Sequence, residues 1–225
     1  ESEPEMHCGI GLIMIGENAQ NLITIIAGAN ARVTPAYVEK HKDVIVNARV
    51  FVTEFMIPLE TAEYATRLAK EAGVLTVVNP APAAPIKESF YRVIDVIVPN
   101  ETEAEMLTGL KVVDAETAHK AAGFFHAQGV PQVIVTMGSK GAFVSDGARA
   151  ELLASIPVKA IDTAGAGDAF IGGLACALSE GKDLFTAARF GTAVAALSVT
   201  RPGTFISMPE RGEVEALLRQ HGFAL

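Results

Sequence analysis

The segment Ile161-Asp162-Thr163-Ala164-Gly165-Ala166-Gly167-Asp168-Ala169-Phe170 is a glycine-rich turn that runs directly into the helical pattern Ala169 to Leu178. Glycines let backbone N–H groups turn inward, and a helix N-terminus adds partial positive charge. Gly165, Ala166 and Gly167 are therefore suited to cradle phosphate oxygens. An aspartate on the first turn of such a helix can take the proton from a hydroxyl attacking a phosphoryl group, which makes Asp168 a candidate general base. The same cluster would equally serve as an ordinary loop and N-cap.

Two more segments carry groups of this kind. In Pro99-Asn100-Glu101-Thr102-Glu103 the amide of Asn100 and the carboxylate of Glu103 share one face of a first helical turn, where they could hold Mg²⁺ waters and a phosphate oxygen. The alternative is an Asn N-cap with Glu103 closing a capping box. In Thr136-Met137-Gly138-Ser139-Lys140-Gly141 the glycines and hydroxyls suit nucleotide phosphates, or simply a tight turn.

The elements around these segments alternate. Ile10 to Ile15 and Asn21 to Ile26 are short β-rich runs joined by an expected hairpin turn at Gly16-Glu17-Asn18. Thr34-Pro35 opens a helical pattern toward Asn47, Arg49 to Thr53 is apolar, and Leu59 to Ala72 has helical spacing that stops at Gly73. Val74 to Val78, Val93 to Val98 and Gln132 to Thr136 read as strands, Glu101 to Leu107 and Ala115 to Gln128 as helices. Ala142 to Ser145 and Glu151 to Ile156 are strand-like, and from Ala166 the chain is mostly helical. Strands apolar on both faces and alternating with helices predict a doubly wound, mostly parallel α/β sheet with helices on both faces. The loops leaving the carboxyl ends of its strands, Asn79 to Pro85, Pro99 to Glu103 and Met137 to Gly141, are where a ligand should bind.

Composition narrows the classes further. Of 225 residues, 50% are hydrophobic, enough for one domain with a sizeable core. With 26 acidic and 18 basic residues the formal charge is −8 and no basic block stands out, which argues against a nucleic-acid partner. Cys8 and Cys176 lie far apart without metal-site spacing, and His7, His41, His119, His126 and His221 show no paired ligand spacing. Neither a disulfide framework nor a zinc site is expected, and a reducing cytoplasm fits best. No apolar run reaches the roughly 18 residues that span a bilayer, so no membrane association is expected.

Taken in order, at the ends of successive strands, these motifs resemble the ribokinase (PfkB) family of carbohydrate kinases. Asp162 to Asp168 fits its DTxGAGD block without departure, and Asn100 to Glu103 fits its N-x-x-E motif. The likeness runs from about Cys8 to the C-terminus. It implies an ATP-dependent sugar kinase with a ribokinase-like α/β fold and the remnant of a β-lid in residues 8–26. Asp168 would be the catalytic base, Gly165, Ala166 and Gly167 the anion hole, and Glu54 a sugar contact beside Asp168. Asn100 and Glu103 would lie near the triphosphate and Mg²⁺; Thr136, Gly138, Ser139, Gly141 and Thr192 would line the ATP site. Asp162, Ala164, Ser198, Arg201, Gly203 and Ser207 resemble the residues that enclose an activating K⁺.

Gly28-Ala29-Asn30 and Asn79-Pro80-Ala81-Pro82-Ala83 look most like the ribose-phosphorylating members, so ribose is the first expected sugar; fructose, other hexoses and nucleosides remain open. Family members carry roughly another 80 to 90 residues ahead of this point, with a Gly-Gly sugar motif and much of the lid, a length inferred by resemblance. Pairing of two chains through the lid is implied too. A nucleotide-binding module without catalysis is the main alternative. A Rossmann-type dehydrogenase is disfavoured because no GxGxxG follows the first strand of a βαβ unit.

Overall fold

Residues 5–15 and 21–223 are described by the computed structural model of the chain, and the expected turn at Gly16-Glu17-Asn18 lies outside them. Strands β1 (Ile10–Ile15) and β2 (Asn21–Ile26) pair antiparallel, with Ile10 opposite Ile26 and Leu12 opposite Thr24. They form a two-stranded sheet separate from the main one, and Ile10, Leu12, Ile25 and Ile26 are exposed on it.

The main sheet holds β3 (Val50–Thr53), β4 (Leu75–Val78), β5 (Val96–Ile97), β6 (Gln132–Thr136), β7 (Ala142–Ser145) and β8 (Ala150–Leu153), in that order. β3 to β6 run parallel, and β7 and β8 turn back antiparallel at one edge. The apolar runs are explained by burial on both sides. Successive side chains of a strand point to opposite faces, so Val77, Val96, Val98, Ile134 and Val144 join one core while Val78, Ile97, Val133, Val135 and Phe143 join another.

The first core is covered by α7 (Ala166–Ser179), α8 (Leu184–Ser198) and α9 (Arg211–Gln220). The second is covered by α3 (Leu59–Glu71), α4 (Glu88–Tyr91), α5 (Glu101–Thr108) and α6 (Ala115–Ala127), with Phe90 and Phe125 fully buried in it. The sheet is thus mixed, parallel through its centre, with helices on both faces, as the sequence predicts. No helix among the described residues is long and apolar enough to cross a membrane.

Several boundaries differ from the sequence expectation. The pattern expected to run from Thr34-Pro35 toward Asn47 is two helices, α1 (Pro35–Lys40) and α2 (Lys42–Val46), broken at His41 with φ −113°. The expected strand Val93 to Val98 pairs only at Val96 and Ile97, because Val93 and Asp95 are engaged instead by the Thr76 hydroxyl. Glu151 to Ile156 stops as a strand at Leu153, since its partner β7 begins at Ala142, opposite Leu153. The four-residue α4 is too short to leave a helical period in the sequence.

α7 and α8 lie against each other through glycines. A methyl group added to Gly191 would sit 2.7 Å from the Phe170 carbonyl oxygen, and one added to Gly173 would sit 3.0 Å from Gly191 Cα. Backbone contact this close fixes the height of α7 on the sheet. Gly191→Ala should therefore destabilise the chain by about 1–3 kcal/mol, the usual range for overpacking a filled core. A urea titration should show a lower midpoint with an unchanged slope; an unchanged midpoint would mean that the two helices can separate freely.

Candidate active site

A cleft of about 770 Å³ opens beyond the carboxyl ends of β5 and β6. One wall is polar: Asn100 and Glu101 at the start of α5, Thr136 at the end of β6, and Gly138, Ser139 and Gly141 in the turn that follows. Thr136 N–H donates to Pro99 O at 2.9 Å, which joins these two strand ends. Gly141 has φ +109°, and a Cβ there would lie 2.0 Å from the Leu153 carbonyl oxygen, so no side chain fits. The facing wall is apolar, built from Ile156, Pro157, Val158 and Ala160 with Phe170 of α7 and Ala195, Ala196 and Val199.

The N-terminus of α7 meets the cleft at Ala166 and Gly167. Its N-cap, Gly165, is left-handed with φ 74° and ψ 7°, and no side chain caps it. α5, α6 and α8, by contrast, are capped by Asn100, Asp114 and Asp183. The first turn of α7 therefore meets the cleft with the positive end of the helix dipole and no side-chain acceptor, Ala166 N–H reaching only Thr163 O at 3.3 Å, which is a binding place for an anion.

Asp162 holds the approach to this turn. Its carboxylate accepts Ala164 N–H at 2.9 Å through Oδ1 and Gly203 N–H at 2.9 Å through Oδ2. Ile161 N–H also donates to Val199 O at 2.7 Å. The Ala164 N–H bond and then the Gly203 N–H bond hold the Asp162 carboxyl below its ordinary range, against a smaller opposing effect of burial.

Asp168 stands exposed on the first turn of α7. Glu54, just past β3, is partly buried, and its Oε2 accepts Met56 N–H at 2.7 Å. Burial pushes the Glu54 carboxyl up, the Met56 N–H opposes this, and the negative charge of Asp168 raises it further. The two carboxylates are near enough to interact. Phe55 N–H donates to Ala81 O at 2.9 Å, tying this strand end to the Asn79 to Pro85 loop.

The fold thus gathers Asn100, Thr136, Gly138, Ser139, Gly141, Ala166, Gly167 and Thr192 around one cleft, and sets Glu54 with Asp168 outside its lining. Thr192 borders the cleft with its hydroxyl donating to Ala188 O at 2.9 Å. Asn100 and Glu103 form the reciprocal capping box: Asn100 Oδ1 accepts Glu103 N–H and Glu103 Oε2 accepts Asn100 N–H, both at 2.8 Å. Burial raises the Glu103 carboxyl and the Asn100 N–H opposes it. Glu103 lies outside the cleft lining, as does the Asn79 to Pro85 loop, part of which borders a smaller apolar pocket with Tyr91 and Phe124.

Of the remaining candidates, Asp162, Ala164 and Gly203 meet directly. Ser198 and Ser207 turn their hydroxyls to Ala195 O and Thr204 O, and the Arg201 guanidinium pairs with Glu213. The carbonyl oxygens of Asp162, Ala164, Arg201 and Gly203 accept no hydrogen bond from the described residues. Among those residues no group of three or more His, Cys, Asp or Glu side chains is arranged to hold a metal. The apolar wall from Ile156 to Ala160 escaped sequence reasoning, because aliphatic residues in a loop carry no signal that separates a ligand wall from core.

The model of the pfkB family carbohydrate kinases matches residues 3–211. The chain is 40% identical to the ribokinase of Haemophilus influenzae over 205 residues, covering 91% of this chain and 67% of that protein. The structure of Arabidopsis thaliana ribokinase complexed with ribose and ATP is similar at a TM-score of 0.89 and 31% identity, covering 98% of this chain and 71% of that one. The Thermotoga maritima ribokinase structure is similar at a TM-score of 0.83 and 35% identity, covering 95% and 70%.

Asp162→Asn should loosen the turn before α7, because an amide offers one acceptor where the carboxylate offers two and turns a donor toward an N–H. The folded-state carboxyl lies below the unfolded value of about 3.9. Its contribution is therefore full above that pH and lost as pH falls through the folded value. Urea unfolding from pH 6 down to pH 2 should show the unaltered chain losing more stability than Asp162→Asn; parallel curves would remove Asp162 as the clamp.

Proposed function

Because this chain belongs to the pfkB family of carbohydrate kinases, we propose that it transfers the γ-phosphoryl group of ATP to the 5-hydroxyl of D-ribose, with Asp168 as general base. The observation that carries this reading is the uncapped N-terminus of α7, open to the cleft, with Asp168 on its first turn and Glu54 close by. Ribose as the acceptor is supported by the ribokinases the chain is similar to, one of them solved with ribose and ATP.

In this reading Glu54 and Asp168 hold the sugar hydroxyl, and Asp168 takes its proton. A bond forms between the sugar oxygen and the γ-phosphorus while the bond from that phosphorus to its β-bridging oxygen breaks, leaving ADP. The N–H groups of Gly165, Ala166 and Gly167 meet the negative charge on the transferring oxygens. The apolar wall of Ile156, Pro157 and Val158 suits the adenine ring, and the turn from Gly138 to Gly141 suits the phosphates.

Mg²⁺ accompanying ATP would neutralise phosphate charge. Asn100 is suited to hold its waters, and Glu103 stands behind it, orienting Asn100 through the capping box. The free carbonyls of Asp162, Ala164, Arg201 and Gly203 are hard oxygen donors of the type a K⁺ ion takes, so K⁺ activation belongs to the proposal. Residues 1–225 would then act as one kinase unit, and the exposed Ile10, Leu12, Ile25 and Ile26 of the small sheet support a homodimer that covers them. The free, exposed Cys8 and Cys176 suit a reducing cytoplasm.

The test is ADP release with ATP, Mg²⁺ and K⁺ across ribose, 2-deoxyribose, fructose and adenosine. Ribose should give the highest kcat/KM; a higher value with any of the others would replace ribose as the substrate. Asp168→Asn should lower kcat by about 10²–10⁴-fold, the range for removing a general base, while ADP affinity stays within a few-fold. Full turnover by that variant would remove Asp168 from the chemistry. Glu54→Gln should raise the sugar KM more than the ATP KM.

A further inference from the structure

The residues lining the cleft include a single charged one, and it has the wrong sign. Of them, only Glu101 carries a formal charge among the described residues, and it stands on the polar wall beside Asn100 and Thr102. A lone carboxylate there repels the polyphosphate that the proposed function brings in, and the following inference rests on that reading. Glu101 is also not part of the α5 capping box, which Asn100 and Glu103 complete by themselves.

Lys140 answers this carboxylate. Its Nζ donates to Glu101 Oε1 at 2.9 Å and to Val113 O at 2.9 Å, so the ammonium is held from two sides and kept against Glu101. Lys140 itself is outside the cleft lining, while its neighbours Ser139 and Gly141 are in it. Both side chains are substantially exposed, and an ion pair of that kind adds little to fold stability. Its effect falls on whatever charge enters the cleft.

We propose that Lys140 is a positioning residue for the nucleotide: it neutralises Glu101 and holds that carboxylate to the side, so that the cleft presents no net negative charge to the phosphates. It acts through Glu101 and touches no phosphate. This predicts a pattern of affinities that neither a direct phosphate contact nor a structural strut would give.

The test is calorimetric binding of ADP at low salt in EDTA, with the full chain and four variants. Lys140→Met should weaken ADP binding about ten-fold, roughly the effect of one unpaired charge several ångströms from a phosphate near the surface. Glu101→Gln should tighten it. The double variant Lys140→Met/Glu101→Gln should return to within about three-fold of the unaltered chain, and Lys140→Arg should keep its affinity. Added salt should shrink the Lys140→Met loss.

A double variant as weak as Lys140→Met alone would overturn the inference, since Lys140 would then contact the nucleotide or shape the turn itself. Four variants all within about two-fold of the unaltered chain would overturn it as well. Loss of binding in Glu101→Gln when Mg²⁺ replaces EDTA would make Glu101 a metal ligand and would equally overturn it. Failure of the unaltered chain to bind ADP is a separate result: it would remove the nucleotide reading of the cleft, and this inference with it.

Discussion

One carboxylate sets the geometry on which the cleft depends. Asp162 accepts N–H groups from both sides of a junction, Ala164 in its own turn and Gly203 forty-one residues on. With the segments pinned together, Gly165 packs against Thr204 in a left-handed conformation, and an added Cβ there would lie 3.3 Å from Thr204 Cβ. α7 then begins without a capping side chain. Had the turn offered a serine or aspartate at the N-cap instead, the first N–H groups would be satisfied internally and the anion place would close. The close packing of α7 on α8 does the complementary work, preventing the helix from sliding away from the cleft.

Charge is distributed sparingly around this junction. The chain is acidic overall, and among the described residues its cleft lining holds one carboxylate, Glu101, and no lysine or arginine; the rest are glycines and amide, hydroxyl and apolar side chains. Partial charges fixed in backbone dipoles need no reorganisation when a ligand arrives, whereas a flexible ammonium must first be ordered. Two pairs of full charges stand near the cleft. Lys140 faces Glu101, and Glu54 faces Asp168. Burial, more than the neighbouring Asp168 charge, makes the Glu54 carboxyl harder to ionise, which suits it to hold a sugar hydroxyl in the proposed transfer.

Much of this was legible in the sequence, for identifiable reasons. Strands such as Gln132 to Thr136 are buried on both faces, and that alone writes an unbroken apolar run. The order of glycines and aspartates from Asp162 to Asp168 carries both the left-handed N-cap and the candidate base, because glycine enters the left-handed region without steric cost and aspartate brings a carboxylate on a short side chain. Asn100 and Glu103 were ambiguous between capping and ligand binding, and the structure displays the cap. What was hidden was the contribution of residues without distinctive chemistry: the apolar wall around Pro157, the short helix at Phe90, the break at His41, and the truncation of strands whose neighbours end early. These depend on partners far away in the chain, and a single local pattern holds no trace of them.

The alternation of side chains along β4, β5 and β6 has an evolutionary consequence. Val77, Val96 and Ile134 pack beneath α7 and α8, while Val78, Ile97 and Val133 pack beneath α6, so two cores share one wall without sharing a cavity. A volume change on the α6 side can be absorbed there by its own neighbours. The sheet therefore acts as an insulator between lineages of substitutions, so that each core can drift with little effect on the other. The glycines at the crossing of α7 and α8 lack that freedom, because at those positions the backbone is itself the packing surface.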